Sequence, residues 1–81
     1  MSVPDIEHVE IFAGQRIDEL QRAAGVSDQE LCAAIDISDE TLRRWKAGEY
    51  VPNASKLARM ATVLRCKVAD FFVTRPVPRG R

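Results

Sequence analysis

The sequence predicts a small all-α fold of five helices, and three observations carry that prediction. Apolar residues recur at intervals of three and four along much of the 81-residue chain. Capping residues (Ser27, Ser38, Asn53) stand just ahead of three of these runs, and Gly25, Gly48 and Pro52 stand just behind. A chain of this length supports one domain. Such a domain buries only about 60% of the surface its unfolded chain exposes, so its stability is expected to be marginal unless a partner adds contacts.

Ile6, Val9, Ala13, Ile17, Leu20 and Ala24 follow the helical spacing and predict one long amphipathic first helix, with Pro4 suited to its first turn. Gly14 interrupts that pattern at a cost of about 1 kcal/mol relative to alanine. The helix can therefore start instead near Val9, leaving residues 1–8 as an N-terminal extension or as the beginning of helix one. Gly25 is its stop. Ser27 and Glu30 form a Ser-x-x-Glu capping box that opens a second helix over about 28–35, with Leu31, Cys32 and Ile35 inward. After a turn of three to four residues, Ser38 opens a third helix over about 39–47. Two short helices joined by so tight a turn read as a helix-turn-helix.

On the third helix, 100° per residue puts Ser38, Leu42 and Trp45 on one side and Glu40, Arg43, Arg44 and Ala47 on the other. Trp45, three residues after Leu42, reads as a core anchor rather than a base-stacking residue. Asn53 caps a fourth helix over about 54–65, which buries Leu57, Ala61 and Leu64 with Met60 alongside. Val68, Phe71 and Phe72 predict a short fifth helix. The domain proper then spans residues 9–73. Residues 74–81 hold two prolines, a glycine and three arginines with little to bury, and are expected to be a flexible basic tail.

From about Phe12 to Val73 the chain resembles the phage-repressor and Cro type of helix-turn-helix, the XRE family. The likeness rests on Ile17 and Leu20; on Gly25, Val26, Ser27, Glu30 and Leu31; on Ile37, Ser38, Leu42 and Trp45; on Gly48 and Pro52; and on Leu57, Ala61 and Leu64. Phe71 and Phe72 stand where that family buries the apolar side chains of its last short helix. The resemblance implies a compact lambda-repressor-like domain with a core of Ile17, Leu20, Leu31, Leu42, Trp45, Leu57, Ala61 and Leu64. It also implies a sequence-specific, double-stranded DNA-binding transcriptional regulator, repressor-like and phage or bacterial, acting as a homodimer. Asp36 replaces the glycine usual in the family's turn, a position where aspartate tolerates left-handed backbone better than most residues.

The family's base-contacting positions fall on Asp39, Glu40 and Arg44, with Arg43 beside them. Arginine can bond bidentately to guanine and glutamate can accept from cytosine. Ser38, Thr41, Lys46, Tyr50, Asn53 and Lys56 are candidates for phosphate contacts, as is Arg43. Phe71, Phe72 and Val73 offer three consecutive apolar residues for a homodimer through the C-terminal helix. Against these stand departures from the pattern: Asp28, Asp39 and Glu40 put carboxylates where phosphate would approach. Asp39 and Glu40 also precede Arg43 and Arg44 by four residues, the order that favours ion pairs on a solvated face.

Charge is balanced overall but divided along the chain. Residues 1–42 hold ten acids and two bases, and residues 43–81 hold ten bases and two acids. One reading is an ordinary surface whose halves attract each other. Another is a basic half facing nucleic acid, and a third is a protein-interaction module, an antirepressor or regulatory subunit whose acidic helices engage a basic partner. Cys32 and Cys66 lie in apolar runs without zinc-ligand spacing and are expected to be core residues, with no metal or cofactor. The only histidine, His8, has no nucleophile or phosphate loop beside it, so no enzyme is expected. The start of the chain lacks an apolar run long enough for a signal or membrane segment, which suggests a cytoplasmic location.

Overall fold

Side-chain caps set the starts of three of the four α-helices in the computed structural model, which describes residues 6–78. The elements in chain order are β1 (Ile6–Phe12), α1 (Gln15–Ala24), α2 (Asp28–Ile35), α3 (Asp39–Lys46), α4 (Ala54–Leu64), a 3-10 turn (Val68–Phe71) and β2 (Phe72–Pro78). The Ser27 hydroxyl accepts from the Glu30 amide while the Glu30 carboxylate accepts from the Ser27 amide, so the predicted capping box is present. Ser38 caps α3 by accepting from the Thr41 amide, and Asn53 caps α4 by accepting from the Lys56 amide. Gly25 ends α1 with φ 70°, and Asp36 ends α2 with φ 59°, the left-handed geometry the tight turn requires.

α1 to α4 and Phe71 enclose one core. Ile17, Leu31, Ile35, Met60 and Phe71 are fully buried, and Leu42, Trp45, Leu57, Ala61 and Leu64 are nearly so. Leu20, Ala24 and Phe72 pack on its margin. Trp45 is therefore the core anchor its spacing predicts. Gly14 has a tertiary reason rather than a helical one: a Cβ built there would lie 2.0 Å from the Trp45 carbonyl oxygen and 2.8 Å from that of Lys46. α1 starts against the end of α3, and only glycine permits that approach.

The five-helix, all-α expectation fails at both ends of the chain. Residues 6–12 are a strand and not the front of helix one, and the predicted fifth helix shrinks to the four-residue 3-10 turn before the chain enters β2. β1 and β2 pair antiparallel, in register from Ile6 opposite Pro78 to Phe12 opposite Phe72. Pro76 and Pro78 explain half of this, because neither can sit inside a helix and each holds the preceding residue extended. Ile, Val and Phe in β1 are equally at home in a strand once β2 is there to pair with. Residues 74–78, expected to be flexible, belong to that ladder, while 79–81, residues 1–5 and the Pro4 expectation lie outside the described residues.

The ribbon joins the body through the Ala13 amide, which donates to the Phe71 carbonyl at 2.8 Å, and through Phe12 against Phe72, edge to face with centroids 5.9 Å apart. Those contacts occupy the predicted dimer residues within one chain. Phe71 is wholly buried and Phe72 is half-buried in its own fold, and Val73 lies in β2 rather than on a helix.

Candidate nucleic-acid interface

Helix α3 turns Leu42 and Trp45 into the core, which leaves Asp39, Glu40 and Arg43 exposed and Arg44 half-exposed on the outer side. Those four are the residues predicted to face bases, and the structure brings them together on one surface. Glu40 is their hub. Its carboxylate accepts from Arg43 Nε at 3.0 Å and Arg43 Nη2 at 2.7 Å, and from Arg44 Nε at 2.8 Å. The Asp39–Arg43 pair suggested by spacing does not form, because Arg43 turns back three residues to Glu40. Hydrogen bonds from Arg43, then from Arg44, hold the Glu40 carboxyl down at about 2, far below the ordinary carboxylate range.

Arg44 also donates to the Tyr50 hydroxyl at 3.3 Å, with its guanidinium 5.5 Å from the centre of the Tyr50 ring. Tyr50 is exposed, so the loop after α3 carries an aromatic donor beside the outer arginines. The cluster is held by exposed ion pairs, each of which contributes little to stability and opens at little cost.

The remaining predicted phosphate contacts have partners of their own. The Ser38 and Asn53 side chains are helix caps, and Thr41 Oγ1 lies 2.9 Å from Ser38 Oγ. Lys56 donates to the Ile35 carbonyl at 2.7 Å and to that of Asp36 at 3.4 Å, tying α4 to the end of α2. Lys46 is the most occupied: its Nζ donates to Asp18 at 2.6 Å and to Asp28 at 2.8 Å, and its side chain is only 18% exposed. Burial by itself pulls the Lys46 ammonium down, but the two carboxylates outweigh it and raise it. Lys46, then Gln21, lowers Asp28.

This α1–α2–α3 clasp was not legible in the sequence. Lys46 is 28 residues from Asp18 and 18 from Asp28. Gln21 completes the clasp, buried and donating to Asp28 Oδ1 at 2.9 Å and to the Val26 carbonyl at 3.3 Å. One signal was present: Gln21 sits four residues after Ile17, a polar side chain on the apolar stripe of α1. An open groove of about 740 Å³ between α2 and α3, lined by Ser27, Asp28, Asp39, Leu42, Arg43 and Lys46, lies beside the clasp.

Two capped helices joined by a left-handed turn, the second exposing a charged outer face, define a helix-turn-helix. Residues 16–76 match the model of the Cro/C1-type HTH DNA-binding domain, and the chain belongs to that family, whose members are DNA-binding transcription regulators. The fold is also similar to the crystal structure of the restriction-modification controller protein C.AhdI from Aeromonas hydrophila. That match has a TM-score of 0.64 and 24% identity, and it covers 73% of this chain and 89% of the other. Comparison with curated proteins finds no match. No helix among the described residues is long and apolar enough to cross a membrane, and no group of three or more His, Cys, Asp or Glu residues there is placed to hold a metal ion.

Proposed function

We propose that the chain is a sequence-specific regulator of double-stranded DNA that enters the major groove with α3 and acts as a homodimer in the cytoplasm. The observation that carries this reading is the outer face of α3, the second helix of the helix-turn-helix in a Cro/C1-type domain, where Glu40 gathers Arg43 and Arg44 and Arg44 meets Tyr50 of the following loop. Glu40 holds both guanidinium groups in place without DNA. On a cognate site Arg44 bonds to a guanine edge, while Glu40 either accepts from a neighbouring cytosine or releases its arginines to the duplex. Arg43 and Tyr50 are the best placed phosphate ligands. Lys46 and Lys56 act indirectly, by holding α3 and α4 against α2. One α3 reads too few bases for useful selectivity, so two half-sites about one helical turn apart are expected.

A second reading is favoured by one feature. Asp28, Asp39 and Glu40 occupy the first turns of α2 and α3, where phosphate would otherwise meet free amides, and so these helices suit a basic protein partner. Selection from a random duplex library, followed by affinity measurement across a range of salt, separates the two. An enriched palindrome supports the DNA reading, with Arg44→Ala lowering affinity for it about ten- to a hundredfold and relaxing one guanine position. Glu40→Gln should raise affinity for all duplexes and alter discrimination at one base pair. Binding no tighter than the non-specific range of roughly 10⁻⁴ to 10⁻⁶ M at physiological salt, for every duplex tried, would end the DNA reading.

A further inference from the structure

The ribbon leaves the outer edge of each of its two strands without a further strand among the described residues. The molecule measures 52 × 22 × 19 Å with a radius of gyration of 15.0 Å, against about 12 Å for a compact chain of this length, and the ribbon accounts for the excess. A two-stranded ribbon alone in water is marginal. Alternation puts Val9 and Ile11 of β1 and Val73 and Val77 of β2 on one face, with Val9 and Ile11 exposed.

Its two outer edges are not equivalent. Along β2, Pro76 and Pro78 share one alternation and still lie within the ladder, so their missing amides belong on the outward side and close that edge to a further strand. β1 contains no proline. By the same alternation, the outward backbone groups of β1 are those of His8, Glu10 and their even-numbered neighbours, and no other strand among the described residues covers them.

From this we infer that β1 is a dimerisation strand: two copies of the chain pair β1 to β1 antiparallel about Val9, forming a four-stranded sheet in the order β2–β1–β1–β2. The argument for a second copy is self-complementarity. A two-fold axis normal to the sheet must pass midway between a residue and the same residue of the other copy, and the axis between the two Val9 residues alone pairs all seven residues of Ile6–Phe12. In that register His8 stands opposite Glu10 of the other copy, twice. Val9 meets Val9, and Glu7 meets Ile11. Moving the axis to His8 sets the two histidines against each other, and moving it to Glu10 sets the two carboxylates against each other, a destabilising pair. The helical bodies then lie at opposite ends of a sheet whose strand bases are about 20 Å apart. That leaves two α3 helices related by a two-fold axis, as paired half-sites demand. The inference deepens the homodimer proposed above and rests on that reading only for its purpose, since the pairing itself involves no DNA.

The test is made on the full chain without DNA. Strand pairing buries less than a standard interface, so a dimer dissociating in the micromolar range is expected, visible by sedimentation at ~100 μM. With Cys66→Ala as background, Val9→Cys should form a disulfide-linked dimer on mild oxidation, because directly opposed residues bring their Cβ atoms within about 5.5 Å. Glu7→Cys should not, its two copies lying about 14 Å apart along the strands. His8→Glu should raise the dimer dissociation constant about tenfold while leaving helix content unchanged. A monomer at the highest concentration, equal cross-linking by both cysteine variants, or indifference to His8→Glu overturns the proposal. A cross-linkable dimer that binds no duplex leaves this inference standing and ends only the DNA reading, whereas a monomer that binds a palindrome does the reverse.

Discussion

The helical body and the ribbon are held by different forces. Among the described residues the buried apolar side chains of the core lie between Ala13 and Phe71, and none lies in residues 7–12 or 72–78. The body is stabilised by side chains removed from water, which collapse together or not at all. The ribbon is stabilised by a backbone ladder and by half-exposed Val, Ile and Phe, so it should open locally at far lower free energy than the body unfolds. This difference teaches where each function can sit. A recognition helix needs the rigid part, and α3 is pinned there by Leu42 and Trp45. A strand that exchanges partners needs the part whose pairing is incomplete.

The largest way to break the contrast is to remove the body's anchor. Trp45→Ala should cost about 3–5 kcal/mol, most of the stability of a domain this small, and should take body and ribbon together. Thermal melting followed by circular dichroism checks it, and a melting temperature within a few degrees of the unmodified protein would contradict the core role. Gly14→Ala comes next, at the junction. Its new methyl group meets the Trp45 and Lys46 carbonyls, which can only move if α1 shifts from α3, and a loss of about 1–3 kcal/mol in denaturant unfolding is expected. Had Gly14 been only a poor helix residue, the same change would have stabilised the protein.

Acid should then loosen the body further. Glu40 is depressed to about 2 and Asp28 is lowered from its usual value, so both bind protons less readily folded than unfolded. Their contribution is present above the unfolded values and is lost as pH falls through the folded ones. The melting temperature should therefore drop between roughly pH 4.5 and 2, and the drop should be shallower in Glu40→Gln. An identical acid profile in that variant would mean that the exposed Glu40 pairs contribute nothing measurable to stability.

The smallest effect sharpens the comparison. Val77→Gly, at the far end of the ribbon, should cost no more than about 1 kcal/mol overall. It should speed amide hydrogen exchange at Glu7, Val9 and position 77, whose amides face across the ladder, while α2, α3 and α4 keep their protection. Faster exchange throughout the helices would show that ribbon and body form one cooperative unit.

How far the sequence could be read follows the same division. Ser27 with Glu30, Ser38, Asn53 and Gly25 act within a few residues of themselves, so the bounds of α2 and the starts of α3 and α4 were legible before any packing was known. The spacing of Leu42 and Trp45 determined which side of α3 faces inward, and with it that Glu40, Arg43 and Arg44 share the outer surface. What only the tertiary structure decided depends on partners far along the chain. Ile6 to Phe12 satisfy helical and extended spacing alike, and β2, whose residues pair with them across 60 to 72 positions of chain, settled the matter by offering a ladder. Lys46 read as a free cation until Asp18 and Asp28 closed on it, and Gly14 read as a helix flaw until the end of α3 came to lie against it. A local pattern records what a residue prefers; which preference is realised, and which charge stays free, is set by the contact that brings distant segments together.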